Sequence, residues 1–408
     1  MFGGDEVSAL VFDLGTFNHR IGYSGEDSPV CVYQPLVGID STKYYFNEYG
    51  LKYKNPKIKI HSFMNQDGTI KDFDLFEKSL NNLIKEELTV DLSEHPLLFS
   101  EPSLHNKNNR IKLTEFMFEK YKIPAIYICK SAVLSGFSCG RSTCVVFDSG
   151  HNTTYAVPVS DGYALQKCLI KNNIAGDYIT QLVQKKLESK NININPFYSF
   201  KIKKIGEKFT TDFIRDEERA LYDKTYENFW KTEIIRDLKE ACLITNDEAL
   251  KYDVEKDEFI PTSMTPELIY DLPDKTTVNL LQDRSLILER IFNPIKEYPA
   301  FGGYHQMVND AISKADIEIK KDLYSNIFLC GGNTLFNGFP ERFQKQISNI
   351  NKQTYKLKII THPSNTERKL ASWIGGSILS SLGTFHQLWL SKAEFEEHGA
   401  MIIERKCA

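Results

Sequence analysis

A five-residue segment that occurs twice constrains the fold more than any other feature of this sequence. VFDLG at 11–15 returns as VFDSG at 146–150, so Asp13 and Asp148 hold matching positions. Each aspartate follows one apolar run and precedes another, RIGYSG in the first case and TYAVPVSDGYAL in the second. An apolar run, a turn of small residues and a second apolar run predict a strand–turn–strand hairpin at each place.

Two further pairs of similar segments follow in the same order. PLLFSEPS and NIFLCGGNT each predict a short strand that ends in a polar turn and precedes a helix-like segment and another strand. SAVLSGFSCGR and SWIGGSILSSLG then predict helices whose small residues permit close packing. One short match can arise by chance, but three in the same order indicate an internal duplication. Alternating strands and helices predict an α/β protein of two similar halves with a cleft between them.

The composition is that of a globular protein. Of 408 residues, 41% are hydrophobic and 25% charged, and the length predicts two or three domains or one two-lobed unit. We expect no membrane attachment, because no apolar run approaches the ~18 residues of a membrane span. We also expect no signal peptide, because the first residues include acidic rather than basic side chains. The eight cysteines lack metal-ligand spacing, which predicts reduced thiols.

Two lysine-rich segments are local exceptions in a chain whose net charge is −4. The negative net charge argues against nucleic-acid binding by the whole protein. They are KYKNPKIK at 52–59 and KIKKIGEK at 201–208. Both are predicted to be surface insertions, and the first lies in a stretch, 40–66, with little periodicity. Such segments are solvated loops or, alternatively, contacts for DNA or an acidic partner.

The turns of the two predicted hairpins have the composition of a phosphate-binding site. Turns of this kind expose several backbone N–H groups, which bind phosphate oxygens, and Gly15 and Gly150 let a ligand approach the backbone. Asp13 and Asp148 could then converge on a metal, and Mg²⁺ suits one or two carboxylates with water. Each aspartate could instead be an ordinary turn residue. Further polar groups for the ligand are Thr16, Ser149, Thr153, Thr154 and Arg20.

Two other segments offer weaker signals. CGGNTLFNGFP at 330–340 predicts a strand, a Gly-Gly turn and a helix start, where backbone could lie against a flat base or a phosphate. IIRDLKEACLI at 234–244 predicts a helix, with a buried face of Ile234, Leu238 and Ala241. Lys239 and Glu240 fall off that face and are expected to be solvated.

Taken together, these motifs resemble the actin superfamily along nearly the whole chain. The segments that carry the resemblance are VFDLGTFNHRIGYSGED, PLLFSEPSLHNKNNRIKLTEFMFEKYKIPAIYI, GRSTCVVFDSG, RDLKE, DIEIKKDLYSNIFLCGGNTLF and ERKLASWIGGSILSSLGTFHQLWLSKAEFEEHG, with ERKC near the end. Within the superfamily the chain is most similar to the actin-related protein 4 class, on GGDEVSALVFD, GYSGED, IAGDYIT, GGNTL and SSLGTF.

The resemblance implies an actin fold, with two ribonuclease-H-like halves, four subdomains, and ATP with Mg²⁺ or Ca²⁺ in the cleft. It implies a first half at 1–141 that includes the variable loop 40–66. The second half is expected at 142–368, with an insertion near 191–228, and a C-terminal segment at 369–408 returns to the first half.

The resemblance also assigns roles to individual residues. Asp13 and Asp148 would hold the metal through water, and Arg20 would stand where actin has a lysine. The nucleotide-binding set it implies is Asp13, Gly15, Thr16, Arg20, Asp148, Ser149, Gly150, Asn152, Thr153, Gly176, Lys239, Glu240, Gly331, Gly332, Asn333, Leu335, Phe336 and Lys369.

The sequence departs from actin where actin carries out hydrolysis. Ser131 and Tyr155 replace the glutamine and histidine that order the attacking water. His151 replaces a second aspartate, Asn152 a glycine, and Phe17 a phosphate-loop glycine. Losing such groups costs ~10²–10⁴ each in general acid–base catalysis. We therefore predict ATP binding without significant ATPase activity, and Phe17 is the substitution most expected to weaken binding.

The resemblance further implies a nuclear scaffold subunit, with room for a cytoplasmic pool. Its partners would be actin and a helical segment of a chromatin-remodelling or histone-acetyltransferase complex; contact with histones or nucleic acid stays open. Without a clear counterpart of actin's filament-contact loop, we expect no self-polymerising filament. The alternatives are a conventional filament-forming actin-like ATPase and, less consistent with the C-terminal sequence, a kinase or chaperone.

A last set of apolar residues is predicted either to form a groove for a partner helix or to belong to the ordinary core. These residues are Phe137, Tyr163, Leu379, Leu382 and Phe385.

Overall fold

A computed structural model describes residues 8–205, 208–253, 255, 258–261, 265–294, 301–351 and 355–407. The strands are β1 (Leu10–Leu14), β2 (His19–Tyr23), β3 (Cys31–Tyr33), β4 (Leu36–Asp40), β5 (Lys43–Tyr45), β6 (Lys59–Ser62), β7 (Leu97–Glu101), β8 (Ala125–Lys130), β9 (Cys144–Ser149), β10 (Thr154–Ser160), β11 (Tyr163–Ala164), β12 (Ile170–Asn172), β13 (Phe200–Ile205), β14 (Lys208–Phe213), β15 (Lys251–Asp253), β16 (Glu258–Ile260), β17 (Ile269–Asp271), β18 (Thr277–Asn279), β19 (Ile327–Cys330), β20 (Ile359–Ile360) and β21 (Leu390–Ser391).

The helices alternate with these strands. They are α1 (Asn47–Leu51), α2 (Phe73–Leu83), α3 (Lys107–Tyr121), α4 (Ser131–Ser138), α5 (Gly176–Ser189), α6 (Asp216–Arg219), α7 (Lys224–Cys242), α8 (Asp283–Phe292), α9 (Tyr304–Ser313), α10 (Ile317–Ser325), α11 (Phe339–Asn351), α12 (Asn365–Ser380), α13 (Lys392–His398) and α14 (Ile403–Lys406).

The two main sheets have the same internal plan, which confirms the predicted duplication and the α/β class. The first has the order β21-β8-β7-β1-β2-β3 and the second the order β11-β10-β9-β19-β20. In each sheet a central strand pairs antiparallel with the next strand of its hairpin and parallel with a later strand, as β1 does with β2 and β7 and β9 with β10 and β19. The helices α3 and α11 then lead to β8 and β20, which extend the sheets in parallel.

The central strands are almost continuously apolar, apart from Asp13 and Asp148 near their ends, because both faces of each sheet are covered. All five residues of β1 are buried, as are all four of β19. Parallel strands covered on both faces carry continuous rather than alternating apolar residues. One apolar core lies in each half. A third joins them, and it includes Val11, Val146 and Trp373.

The small-residue helices α4 and α12 pack directly on each other, as their composition predicts. A Cβ on Gly375 would lie 1.7 Å from the backbone oxygen of Leu134. The Trp373 indole, two residues before Gly375, is fully buried and donates a hydrogen bond of 3.2 Å to the carbonyl of Val11. The C-terminal part of the chain also adds β21 to the first sheet beside β8. The domain boundaries themselves remain a prediction.

The structure corrects the prediction that 40–66 is an irregular surface insertion. Strands β4, β5 and β6 form a separate three-stranded sheet there, and Ile58, inside the first lysine-rich segment, is fully buried. The second lysine-rich segment lies in the hairpin β13–β14, where Lys201 and Lys203 are exposed; its residues 206 and 207 fall outside the described residues. Among the helices of the described residues, none is long and apolar enough to cross a membrane.

We predict that Gly375→Ala destabilises the protein by about 3 kcal/mol or more, because overpacking against a fixed backbone forces the helices apart. Without a clash, alanine in a helix interior stabilises the helix by about 1 kcal/mol relative to glycine. A loss of stability in this variant would therefore come from the clash. Gly383→Ala is the control, since a Cβ there meets nothing within 4 Å. Denaturant unfolding of both variants checks this; equal stabilities would contradict it.

Candidate nucleotide-binding site

The turns that follow β1 and β9 face each other across one cavity of about 140 Å³. Both hairpins, the turn after β19 and the start of α12 contribute to its wall. Ligand pockets are commonly about 300–1,000 Å³, so this cavity holds only part of a nucleotide. The predicted binding residues that line it are Asp13, Gly15, Thr16, Arg20, Asp148, Gly150, Thr153, Gly331, Gly332 and Lys369.

The pairing of the strands places these groups at the same edge of the sheet. Asp148 lies opposite Cys330 in the parallel pair β9–β19, so the Gly331 turn begins beside the carboxylate. Gly331 has a φ of +86°, and a Cβ there would lie 2.4 Å from Asp148 Oδ1. A residue other than glycine would therefore be strained and would displace the carboxylate.

The two carboxylates have different electrostatic environments. Arg20 stands opposite Asp13 in the hairpin, and its Nη1 donates to Asp13 Oδ2 at 2.6 Å. Asp148 lacks such an ion pair among the described residues. Burial, followed by repulsion from Asp13, raises the pKa of Asp148 to about 6, although Arg20 offsets part of the shift. A cation near Asp148 would relieve this repulsion.

The residues fit a metal only if water and phosphate complete its coordination. Within the described ranges, no group of three or more His, Cys, Asp or Glu side chains is arranged to hold a metal ion. Two carboxylates on one cavity nevertheless suit Mg²⁺, which keeps most of its waters. Bound there, the metal would neutralise phosphate charge, while Arg20 already neutralises Asp13 without it.

The hydroxyl of Ser149, predicted as a donor to phosphate, belongs to an internal hydrogen-bond network in this structure. Ser149 and Thr154 are fully buried, and their hydroxyls share a hydrogen bond of 2.8 Å. The Asn333 amide donates to Ser149 Oγ at 3.0 Å and to the Gly150 carbonyl at 2.7 Å. The Tyr304 hydroxyl lies 3.3 Å from Ser149 Oγ. These side chains fix the shape of the second turn.

A neighbouring cavity of about 250 Å³ brings together the residues predicted to lie against the base. Glu240, Leu335 and Phe336 line it, and it shares Gly332 and Lys369 with the first cavity. Asn365 and Thr366 complete a largely polar wall, in which Leu335 and Phe336 form the apolar part. The ammonium of Lys369 lies 3.7 Å from Glu240 Oε2, so one ion pair crosses its rim.

Lys239 is buried, which corrects the prediction that it is solvated, and Ala241 is exposed. The Lys239 ammonium donates to the Gly176 carbonyl at 3.1 Å, and burial lowers the pKa of Lys239 to about 8. The inward face of α7 instead carries Ile235 and Cys242 beside Ile234 and Leu238. Of the described residues predicted to bind nucleotide, those outside both cavity walls are Ser149, Asn152, Gly176, Lys239 and Asn333.

The two turns also touch each other. The rings of Phe17 and His151 are 5.0 Å apart between centroids, and the Arg236 guanidinium lies 4.7 Å from the centre of the Phe17 ring. Burial lowers the pKa of His151 to about 4, and the positive charges of Lys239 and Arg236 add to the shift. The imidazole is therefore neutral at physiological pH. Phe17 and His151 fill space between the turns that glycine and a small residue would leave open.

The positions where actin orders a water carry hydroxyl groups here. The Ser131 hydroxyl shares a hydrogen bond of 3.0 Å with Ser103. Burial raises the pKa of Tyr155 to about 12, so its hydroxyl stays protonated and cannot serve as a base near neutral pH. Both residues line the cavity.

Sequence reasoning missed several residues of the cavity wall, among them Arg368 and Asp67, and it missed Arg236, which lines the adjoining cavity of about 460 Å³. Arg368 lines the cavity and bonds the carbonyls of Thr334 and His362, although the sequence prediction named its neighbour Lys369. Asp67 enters from the loop before α2; its DG turn was the available signal. Arg236 is found only through its contact with Phe17.

Comparisons with known proteins agree with this geometry. The family described as Actin matches residues 4–408. The chain belongs to the actin family. It is 35% identical over 451 aligned residues to actin-related protein 4 of Arabidopsis thaliana, covering 100% of both chains. It is 34% identical over 453 residues to actin-related protein 4 of Oryza sativa subsp. indica and of subsp. japonica, again covering 100% of each chain.

In this actin fold, the predicted partner groove divides into two sets of residues. Leu379 and Phe385 are buried in the core that joins the halves. Tyr163 and Leu382 are exposed, by 63% and 44%. Phe137 is half-buried beside Gly162. The exposed pair is what a partner could contact.

We predict that Asp148→Asn raises the melting temperature of this actin-family protein by about 2–4 °C at about pH 7.5 without metal. Because the folded pKa lies above the ordinary value of 3.8, the folded state binds the proton more tightly. Stability therefore falls as pH rises from about 4 to about 6, and the deficit persists above that.

At about pH 4 the substitution should have no effect, since the carboxyl is then protonated in the folded state. Asp247→Asn, at an exposed carboxylate outside both cavities, is the control. Calorimetry of both variants across this range checks the prediction. A stabilisation that did not change with pH would contradict it.

We predict that Phe17→Gly strengthens nucleotide binding about tenfold, or 1.4 kcal/mol, because it removes the ring that fills the gap between the turns. His151→Ala should act in the same direction from the opposite turn. Titration calorimetry with ATP and Mg²⁺ measures both. Weaker binding by both variants would show instead that the ring contact helps to hold the ligand.

Proposed function

We propose that this protein is an ATP-binding, hydrolysis-deficient scaffold subunit that works in the nucleus beside actin. The observation that carries the proposal is the composition of a single cavity. Asp13 and Asp148 remain on its wall with both phosphate-type turns, while Ser131 and Tyr155 occupy the positions of the groups that would order a water.

The expected loss of hydrolysis follows from the nature of phosphoryl transfer. Catalysis of that reaction is mostly positioning and charge stabilisation. A serine bonded to Ser103 is too short to position a water in the cavity, and a protonated tyrosine does not accept its proton. The carboxylates, Arg20 and the backbone donors bind charge without needing either group, so binding is retained when turnover is lost.

We further propose that the protein docks on a helical segment of a chromatin-remodelling or histone-acetyltransferase complex. The exposed side chains of Tyr163 and Leu382 support an apolar contact of the kind that receives an amphipathic helix. Self-assembly into filaments is not expected, since segment 40–66 is folded against the rest of the molecule.

The nucleotide half of the proposal is tested with purified protein, ATP and Mg²⁺. We expect one nucleotide bound per chain, and phosphate release no faster than in a no-protein control over several hours. The Asp148→Ala variant should lose the magnesium dependence of binding. Magnesium-dependent phosphate release at the rate of actin, or light scattering that rises with protein concentration and ATP, would instead support a filament-forming ATPase.

The partner half is tested by purification of the tagged protein from its own cells and identification of associated chains. We expect actin and subunits of a remodelling or acetyltransferase complex. Leu382→Asp should deplete them about tenfold or more, because a buried unpaired charge opposes docking. Leu221→Asp is the control, at a side chain 68% exposed and outside this surface. If the tagged protein is purified without any such subunit, the proposed docking on such a complex is wrong.

A further inference from the structure

We propose that a groove between α5 and α8, in the second half of the molecule, binds an extended acidic peptide segment that carries a large apolar side chain. The groove, called the α5–α8 groove, is a cavity of about 1010 Å³. It is defined by Leu182, Lys185 and Lys186 on α5 and by Leu286, Ile287 and Arg290 on α8. Among the described residues, it shares none with the walls of the candidate nucleotide site. The proposal therefore does not depend on nucleotide binding.

One side of α5 supplies lysines to the groove. Leu182, Lys185, Lys186 and Ser189 are spaced at intervals of three and four residues, so they lie on the same side of the helix. All four line the groove. Val183, on the adjoining side of α5, is buried in the core of the second half. The core thus holds α5 by one side, while the lysine side faces the groove.

Helix α8 carries the apolar part of the groove. Asp283, Leu286, Ile287 and Arg290 have the same helical spacing, and all of them line it. Leu286 packs against the buried side chain of Phe259, which also lines the groove. An apolar side chain of a ligand would therefore lie against Leu286, Ile287 and Phe259, between charged groups of the two helices.

The α5 wall of the groove has an excess of positive charge. Asp283 forms ion pairs with Lys186 and Lys190, at 2.9 Å and 2.7 Å between the ammonium nitrogens and the carboxylate oxygens. Lys185 is exposed, and it forms no ion pair within the part of the chain that the structure describes. One carboxylate thus serves three lysines, and Lys185 can pair with a carboxylate of a ligand.

Carboxylates on the other walls give the groove a direction. Glu258 and Glu267 line it from β16 and from the segment before β17. Arg290 adds a positive charge from α8. An acidic segment is attracted by the lysines of α5 and repelled by Glu258 and Glu267, so complementary charge sets its position and its orientation.

Leu281 presents an apolar side chain to the groove from a strained backbone. Its φ is +50°, a left-handed conformation that is an outlier for a bulky residue. Its side chain lines the groove and is 53% exposed, so the core does not require a leucine at this position. Glycine would adopt the same φ without strain. Strained residues are typical of sites that hold a ligand, and this one adds apolar surface to the groove.

A strand that lines the groove is paired on one side only, which favours a peptide over a small molecule. Among the described residues, β16 pairs only with β15, and its residues Glu258 and Phe259 line the groove. An unpaired strand edge can accept an extended segment through backbone hydrogen bonds. Ile260, at the end of β16, is 47% exposed, so apolar surface continues past the groove.

The length of the groove fits a short extended segment. Its α5 wall runs from Leu182 to Lys190, which is about 12 Å at about 1.5 Å per residue. An extended chain rises about 3.3 Å per residue, so about four residues of a peptide span this wall.

The class of ligand is tested by selecting peptides from a displayed random library against the full chain. We expect the selected peptides to carry Asp or Glu next to a large apolar residue. Lys185→Glu should weaken their binding about tenfold or more, because it places a like charge against their carboxylates. Lys112→Glu is the matched control, since it makes the same change at an exposed lysine on α3 and should leave binding unchanged. Fluorescence polarisation of a labelled selected peptide measures both.

Leu281→Gly distinguishes a lost contact from a damaged fold. It should weaken binding of the same peptide about tenfold, because an apolar contact is removed. The melting temperature should not fall, because glycine relieves the strain at this φ. Leu221→Gly, at a side chain that is 68% exposed and outside the groove, is the control and should bind the peptide normally.

The position of the bound peptide is tested by lysine modification with acetic anhydride, read by mass spectrometry. A selected peptide should protect Lys185 from acetylation and leave Lys112 as reactive as before. The proposal is wrong if no acidic peptide with an apolar residue is selected, or if the selected peptides bind Lys185→Glu and Leu281→Gly as tightly as the unmodified protein. If a DNA duplex or laurate protects Lys185 and no peptide does, the groove belongs to nucleic acid or to a small anionic amphiphile instead.

Discussion

The packing of α4 against α12 is the contact on which the rest of the molecule depends. Because Gly375 has no side chain, the backbone of α12 can lie against the backbone of α4 at Leu134. The Trp373 indole on α12 donates a hydrogen bond to the Val11 carbonyl in β1. The core around them contains residues of both sheets. Because β1 and β9 are both held to this core, the turns that follow them face the same cavity. A shift in this packing would move both aspartates together.

The cavity keeps the two aspartates that the resemblance to actin predicts, but its two turns carry side chains that differ from those of actin. Arg20 compensates Asp13, whereas Asp148 lies in a buried environment that favours its protonated form. Perturbed carboxylates of this kind are typical of functional sites. Opposite them, Phe17 and His151 meet where small residues would leave space. The cavity therefore keeps its paired carboxylates, while a ring contact occupies the space between its two turns.

Much of the fold was predictable because its signals are local. A run of about ten residues is enough to predict each of the two hairpins, each strand that follows them and each small-residue helix. The repetition of this pattern predicts the duplicated sheets. The burial of Lys239 was not predictable, since a lysine on a helix is ordinarily solvated and its carbonyl partner belongs to Gly176. Likewise Ile58 shares a buried cluster with Tyr226 of the other half, and no pattern within 40–66 encodes that partner.

The contact between Phe17 and His151 has a consequence for the cohesion of the two halves. In a cleft joined mainly by a polyphosphate, the cohesion of the two halves varies with the supply of ligand. Here the Phe17, His151 and Arg236 side chains already connect the turns. The arrangement of the two halves therefore depends less on a bound ligand than it does in such a cleft.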